Sequence, residues 1–420
     1  MTKKFITKIL ALAVSFTIVT PFVNSVSAVE NSPSIIGQSA LVMDMDTKEV
    51  IYSKSAEENR APASTTKLMT ALLFAENVKK TDMVEYTQEA ISQTSVSLSN
   101  DFKKMNVGDK ITADDAMDGL MVHSGNDTAY IIANAVSGST EEFVKLMNQK
   151  AKELGMNNTN FVNPNGLEYG DTHNTTTAYD LALLAIEAYK NEWVKEIVTS
   201  SQADVNLNNS KYILHSRDKL MGKDGHLGGK TGNESVSGHC FVGYYNLSGK
   251  NLVTVVLKSE YGAFGDTVFE DTEKIAQYGS TAKETPYLKA NDKVGEVTLN
   301  YKVFRFFGPT KTITTSFVSN EDISIYENDF NSANTKITLD EDTSNAWSLV
   351  GKDDAKLKLT SGAYSKDLQG SIELSFGQIL KDNMIAYISA LAGLIFVIVI
   401  IVLIVKVIQN KKNRRYRRRY

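Results

Sequence analysis

Ser64-Thr65-Thr66-Lys67 places a hydroxyl three positions before an amine, at the start of an apolar segment. If that segment is a helix, residues at i and i+3 share one face, and the two groups lie side by side. A lysine that burial and nearby cations keep neutral can take a serine proton, which makes the serine a nucleophile. Ser64 and Lys67 are therefore candidates for covalent acyl transfer. Because Ser-x-x-Lys recurs at Ser216–Lys219 and Ser280–Lys283, and Ser64 could simply cap a helix, the pattern needs further support.

Two further polar triplets follow, each where regular structure is predicted to begin or end. Ser124-Gly125-Asn126 comes on a turn after a helix that starts near Thr112. Lys230-Thr231-Gly232 lies at the entry to a strand. With Ser64 and Lys67, these triplets complete the three-element set of class A β-lactamases and penicillin-binding proteins, with Gly125 in place of Asp. Three elements in one order and in matching contexts are much rarer by chance than any one of them.

Residues 34–283 resemble the penicillin-binding D-alanyl-D-alanine carboxypeptidases of low molecular mass, which are serine peptidases of the S11 type. The resemblance depends on the three elements and on the segments around them, which are Pro62–Leu73, Leu120–Asp127, Phe161–Leu167 and Thr177–Ala182. It implies removal of the terminal D-alanine from peptidoglycan stem pentapeptides, and covalent inhibition by β-lactams. It also implies that no metal or organic cofactor is needed.

The resemblance assigns a catalytic role to four side chains. Ser64 would attack the carbonyl of the penultimate D-alanine, and Lys67 would act as the general base. Ser124 would pass a proton to the leaving D-alanine, and Asn126 would orient Lys67 and the substrate amide.

The third element would bind the substrate. Lys230 and Thr231 would hold the terminal carboxylate, and Gly232 and Asn233 continue the strand along which the substrate lies. The backbone N–H groups of Ser64 and Asn233 would form the oxyanion hole.

Three alternatives use the same elements. A class A-like β-lactamase would need a deacylating glutamate, and Glu168 lies in the corresponding region. A DD-transpeptidase would transfer the acyl group to an amine instead of water, and an endopeptidase would release the amine of a cross-linked peptide instead of D-alanine. A non-catalytic, penicillin-sensing wall protein is the third, since Glu234 and Ser237 stand where the family has a small hydroxyl residue and Ala.

The elements that must position these residues predict an α+β fold. Strand-like runs at 38–53 and 238–258 enclose helical patterns, which indicates an antiparallel sheet packed with a helical region, the serine β-lactamase/transpeptidase-like domain at 34–283. Residues 290–380 alternate between apolar and polar positions, and predict a small all-β sandwich domain. We interpret that second domain as a spacer between the membrane and the cell wall.

The two ends of the chain predict export and anchoring. A basic start, an apolar run and Val26-Ser27-Ala28 indicate a signal peptide at 1–28. Residues 384–405 carry no charge and are long enough for one C-terminal transmembrane helix. Residues 406–420 carry eight cations, which places this tail in the cytoplasm and the catalytic domain outside the cell.

Composition excludes other classes of protein. Without the three cations before residue 29 and the eight after residue 405, the net charge of −4 becomes −15, so nucleic acid is not an expected partner. The single cysteine, Cys240, allows no internal disulfide and is expected to be buried and inert. The five histidines form no zinc motif, and His226 is expected to be solvated beside a charged loop.

Overall fold

The computed structural model describes residues 32–417, so the predicted signal peptide at 1–28 lies outside the described residues. The catalytic region is built on a five-stranded antiparallel sheet with the order β2-β1-β9-β8-β7. Its strands are β1 Ser39–Asp44, β2 Val50–Lys54, β7 His226–Glu234, β8 Gly238–Leu247 and β9 Lys250–Ser259.

Helices cover both faces of this sheet, which explains why its central strands are almost continuously apolar. Val253 and Val255 face a core shared with the helical region, whereas Leu252 and Val256 face the C-terminal helix of the region. The helices are α1 Lys67–Asn77, α2 Gln88–Ile91, α3 Leu98–Asp101, α4 Ala113–Asp118, α5 Asn126–Ser137, α6 Thr140–Glu153, α7 Ala178–Lys190, α8 Glu192–Val198 and α9 Thr267–Thr281.

Two short ribbons complete the helical side, β3 Met83–Glu85 with β4 Lys110–Thr112, and β5 Gln202–Leu207 with β6 Ser210–His215. The predicted helix start at Thr112 is confirmed, because its hydroxyl accepts the Asp115 N–H and caps α4. The predicted α+β fold class is confirmed as well.

A second, sheet-rich region follows, as predicted. Its larger sheet has the order β11-β12-β16-β15-β14, and a two-stranded ribbon pairs β10 with β13. The elements are β10 Thr285–Leu288, β11 Lys293–Lys302, β12 Thr310–Ser319, β13 Ile323–Ile325, α10 Asp329–Asn334, β14 Lys336–Leu339, β15 Ala355–Ser361, β16 Tyr364–Ile372 and α11 Phe376–Asp382. Ile323 and Ile325 of the ribbon pack with Leu299 and Leu357 of the sheet in one core.

The second region contacts the first through α10. Buried Asn328 and Asn331 both donate side-chain N–H groups to the Val50 carbonyl at the start of β2. Phe330 stacks on Tyr179, with ring centroids 4.5 Å apart. The domain limits 34–283 and 290–380 stay a prediction.

The last described element is one long helix, α12 Met384–Arg417, which includes the predicted span at 384–405 and continues into the basic tail. Its side chains are exposed from residue 388 to residue 414, and the helix is long and apolar enough to cross a membrane.

Candidate active site

Ser64 lies in a short 3₁₀ turn, Ala63–Thr66, that leads directly into α1. Ala63 has a φ of 48°, in the left-handed region that residues with a side chain rarely adopt. Ser64 itself is half-buried, whereas its neighbours Ala63 and Thr65 are buried. The turn therefore presents one hydroxyl to the cleft and is held by packing on all other sides.

Two glycines allow the backbone to close around this turn. A Cβ on Gly166, which has a φ of 85°, would lie 1.9 Å from the Ala63 carbonyl oxygen. A Cβ on Gly232 would lie 2.9 Å from the Ser64 amide nitrogen. Strand β7 and the loop before α7 therefore approach Ser64 from two sides, at distances that only glycine permits.

Lys67 is fully buried, and its amine contacts three oxygen atoms. Nζ lies 2.8 Å from Ser64 Oγ, 2.8 Å from Asn126 Oδ1 and 3.0 Å from the Asn165 carbonyl oxygen. Burial, followed by the positive charges of Lys230 and Arg217, lowers the pKa of Lys67 well below its ordinary value. A neutral amine in hydrogen-bond contact with the serine hydroxyl can accept its proton.

The second element reaches the site through an unusual local backbone. α4 continues as one π-helical turn, Gly119–His123, and Ser124 then adopts a left-handed φ of 68°. The Gly125 N–H closes the turn on the Gly119 carbonyl at 2.8 Å. Asn126 becomes the first residue of α5, and its Nδ2 donates to the Ser95 carbonyl at 2.6 Å, which fixes the amide so that Oδ1 faces Lys67.

The third element faces the second. Lys230 is buried in β7, and its Nζ donates to Ser124 Oγ at 2.9 Å and to the Thr231 carbonyl at 2.9 Å. Burial, followed by the charge of Arg217, lowers the pKa of Lys230 to about 7. Thr231 is half-buried and Asn233 is exposed along the same strand. The structure thus brings all three predicted elements to one cleft.

The other two Ser-x-x-Lys patterns do not form such pairs. Lys219 Nζ lies 2.6 Å from the Asp266 carboxylate, and the Ser280 hydroxyl donates to the Gln277 carbonyl within α9. Cys240 is buried as predicted, and burial raises the pKa of its thiol to about 12.

Sequence reasoning missed two contributors to the site and made a wrong prediction for one histidine. Asn165 supplies a backbone carbonyl, which leaves no signal in the residue type. Arg217 is exposed, and its charge lowers the pKa of both buried lysines. The prediction that His226 is solvated is wrong, because its buried ring lies 2.7 Å from the buried Asp218 carboxylate, beside the start of β7.

Glu168, the candidate for a deacylating base, is hydrogen-bonded to the turn between β7 and β8. Its carboxylate accepts the N–H groups of Val236 and Ser237, each at 2.8 Å, and the Ser235 hydroxyl at 3.0 Å. Burial opposes ionisation, but these donors outweigh it and lower the pKa of Glu168. The side chain therefore ties its loop to the turn between β7 and β8.

Comparisons with known proteins identify the family. Residues 26–260 match the family model of the S11 peptidases, described as D-alanyl-D-alanine carboxypeptidase. The chain belongs to this family. It is 30% identical over 62% of its length to D-alanyl-D-alanine carboxypeptidase DacF of Bacillus subtilis, with 66% of that protein covered. It is 31% identical to the D-alanyl-D-alanine endopeptidase of Escherichia coli, over 66% of this chain and 88% of that protein.

A solved structure agrees with this assignment. Penicillin-binding protein D2 of Listeria monocytogenes in its ampicillin-bound form is 26% identical, with a TM-score of 0.53, over 59% of this chain and 98% of that one. As a member of the S11 family, the chain is a serine hydrolase of the D-alanyl-D-alanine carboxypeptidase class. Among residues 32–417, no group of three or more potential metal-ligating side chains lies together. The expectation that no cofactor is needed stays a prediction.

Proposed function

We propose that this S11 family member removes the terminal D-alanine from peptidoglycan stem pentapeptides through an acyl-enzyme on Ser64. The contact of the buried Lys67 amine with Ser64 Oγ, at 2.8 Å, is the observation that carries the proposal, and burial lowers the pKa of this amine well below its ordinary value. Lys67 takes the hydroxyl proton as Ser64 Oγ bonds to the carbonyl carbon of the penultimate D-alanine. The backbone N–H groups of Ser64 and Asn233 stabilise the oxyanion.

Collapse of this intermediate breaks the peptide bond, and the leaving D-alanine amine needs a proton. Ser124, whose hydroxyl is hydrogen-bonded to Lys230, relays to this amine the proton that Lys67 took from Ser64, and Lys67 is then neutral again. Lys230, Thr231 and Arg217 together present the cations and hydroxyl that a terminal carboxylate requires. Water then attacks the ester carbonyl and gives a proton to Lys67. Lys67 returns this proton to Ser64 Oγ as the bond between Oγ and the acyl carbon breaks, and the serine is restored.

β-Lactams acylate the same serine in this proposal, and the resulting ester persists. A β-lactamase would hydrolyse this ester quickly. The position of Glu168 favours a persistent ester, because both of its carboxylate oxygens already accept hydrogen bonds from the β7–β8 turn. A carboxylate held by three donors is a poor base for an attacking water. The match to an endopeptidase over 88% of its length favours a second activity, cleavage of a D-alanyl cross-link by the same acyl-enzyme.

The test is the intact mass of the full chain in detergent after mixing with benzylpenicillin, followed by an assay of D-alanine release. We expect a long-lived adduct of one drug molecule, and no adduct in Ser64→Ala, with an unchanged melting temperature. Destruction of the drug without a lasting adduct would instead indicate a β-lactamase. An untouched drug would favour the sensing protein.

We further propose that α12 anchors the protein with its catalytic region outside the cell and its tail in the cytoplasm. The second region then acts as a spacer, since a ten-residue strand such as β11 spans roughly 30 Å. Because the only native cysteine is buried, labelling with an impermeant maleimide can test this topology. Ser201→Cys should label in intact cells, whereas Asn413→Cys should label only after permeabilisation; the reverse pattern would contradict it.

A further inference from the structure

The hairpin turn between β11 and β12 exposes large aromatic side chains. This hairpin tip, residues 303–309, carries Phe306 and Phe307, which are 78% and 66% exposed. Phe304 is half-buried and stacks on Phe307, with centroids 5.1 Å apart. Exposed adjacent phenylalanines at the end of a rigid hairpin are unfavourable in water, so they indicate a surface that is covered by another phase or molecule.

The hairpin tip is attached to the first turn of α12. The Tyr387 hydroxyl donates to the Val303 carbonyl at 2.5 Å, and its ring meets Phe304 edge-on, with centroids 5.5 Å apart. Just before the helix, Asn383 Nδ2 donates to the Tyr301 hydroxyl at 2.8 Å. Tyr387 follows Met384 by three residues, roughly 4.5 Å along the axis. The tip therefore lies at the depth at which the apolar helix begins.

The surroundings of the tip match a lipid headgroup layer. Residues 297–320 contain three cations, Lys302, Arg305 and Lys311, and no carboxylate, in an ectodomain that is otherwise strongly acidic. Arg305 lies over the Phe306 ring at 5.4 Å. Segments that lie in the membrane interface combine Trp, Phe or Leu with Lys or Arg, because the apolar side chains enter the edge of the acyl region while the cations meet phosphates.

We infer that the hairpin tip inserts Phe306 and Phe307 into the outer leaflet of the membrane that α12 spans, as a second membrane contact. The inference rests on the proposed anchoring by α12. Two contacts at one depth, joined by the Tyr387 and Asn383 hydrogen bonds, would fix the tilt of the second region. They would then hold the cleft in the catalytic region at a constant height above the lipid.

The experiment uses the full chain reconstituted into phospholipid vesicles, with acyl chains brominated close to the headgroup as fluorescence quenchers. Phe306→Trp reports on the hairpin tip. Phe264→Trp is the matched control, since Phe264 is 80% exposed in the catalytic region. Ile395→Trp, in the middle of α12, reports separately on the membrane span. The native Trp193 and Trp347 give the same background in all three variants, and acylation by benzylpenicillin shows that each variant is folded.

We expect quenching of Phe306→Trp to exceed that of Phe264→Trp several-fold, with Ile395→Trp also quenched by lipids brominated deeper in the chain. Quenching of Ile395→Trp alone, with Phe306→Trp no more quenched than Phe264→Trp, would overturn the inference and leave the anchor intact. If neither Ile395→Trp nor Phe306→Trp is quenched, both the membrane anchor and the hairpin contact are overturned. If Phe306→Trp is not acylated, Phe307→Trp takes its place and is judged by the same comparison.

Discussion

The buried Lys230 predicts different pH profiles for free enzyme and enzyme–substrate complex. Its pKa of about 7, compared with an ordinary value of 10.5, corresponds to roughly 5 kcal/mol in favour of the neutral amine. In the proposed function, substrate recognition needs the Lys230 cation, because a terminal carboxylate is attracted to an ammonium group and not to an amine. In the free enzyme the cationic fraction falls to about one tenth at one pH unit above the pKa.

A bound carboxylate changes this balance. At a separation of about 4 Å and an effective dielectric constant of about 20, the attraction between unit charges is about 4 kcal/mol. That energy raises the pKa of Lys230 in the complex by up to roughly three pH units, to a value near 10. The alkaline decline of kcat/KM, which reports on the free enzyme, should therefore lie near pH 7. The corresponding decline of kcat should lie well above it.

The assay is steady-state release of D-alanine from a pentapeptide across a pH series, with melting temperatures recorded at each pH. Lys230→Gln should reduce kcat/KM strongly and remove its decline near pH 7. A peptide that ends in a carboxamide should be a poor substrate whose remaining rate lacks that decline. A kcat/KM that stays flat from pH 7 to pH 9 with the carboxylate substrate would refute the reasoning.

Three further predictions concern residues around the cleft and at the region contact. Glu168→Gln should lower stability by about 1–3 kcal/mol, because it weakens charge-assisted bonds to the β7–β8 turn; a much longer-lived penicilloyl adduct by intact mass, with unchanged acylation and stability, would show that Glu168 is a deacylating base after all. Gly166→Ala should slow acylation severely and lower the melting temperature. The control is Gly170→Ala, also at positive φ but with open space for a Cβ, which should lower the free energy of unfolding by only about 1–2 kcal/mol. Equal acylation rates in the two variants would contradict the crowding at Ser64. Asn331→Ala removes one of the two side-chain donors to the Val50 carbonyl and the acceptor of the buried Ser361 hydroxyl, and should cost about 1–3 kcal/mol in thermal unfolding without a change in acylation rate. An unchanged melting temperature would argue against α10 as a stabilising contact.

The sequence predicted those strands of the sheet whose apolar residues are also buried in the folded protein. The runs at 238–246 and 251–258 are apolar on both faces, and they are the central strands of the sheet. The strand that carries Lys230 begins at His226, four residues before the position at which the sequence places its entry. The early start was not predictable, because Gly228, Gly229 and Gly232 carry no hydrophobic signal. These glycines lie where the backbone of β7 packs against the backbone of neighbouring segments. The spacing of apolar residues along the sequence does not predict such contacts.

The site was predictable to the extent that it consists of side chains in ordered triplets. What the sequence could not provide was the backbone: the Asn165 carbonyl on Lys67, the left-handed Ala63 and Ser124, and the π-helical turn that shifts Asn126 into place. Electrostatic partners were also hidden. His226 reads as a loop histidine because its partner Asp218 lies across a turn, and only folding buries both.

One loop connects the parts of the site that the three triplets leave separate. Asn165 contacts the Lys67 amine, Gly166 lies against the turn before Ser64, and Glu168 binds the end of the β7 hairpin. A shift of this loop would therefore affect the Lys67 amine, the turn at Ser64 and the end of β7 together. Burial and the negative charge of Glu168 raise the pKa of the adjacent Glu234, whereas Lys67 opposes this rise. The protonation of Glu234 therefore depends on how the same loop holds Glu168.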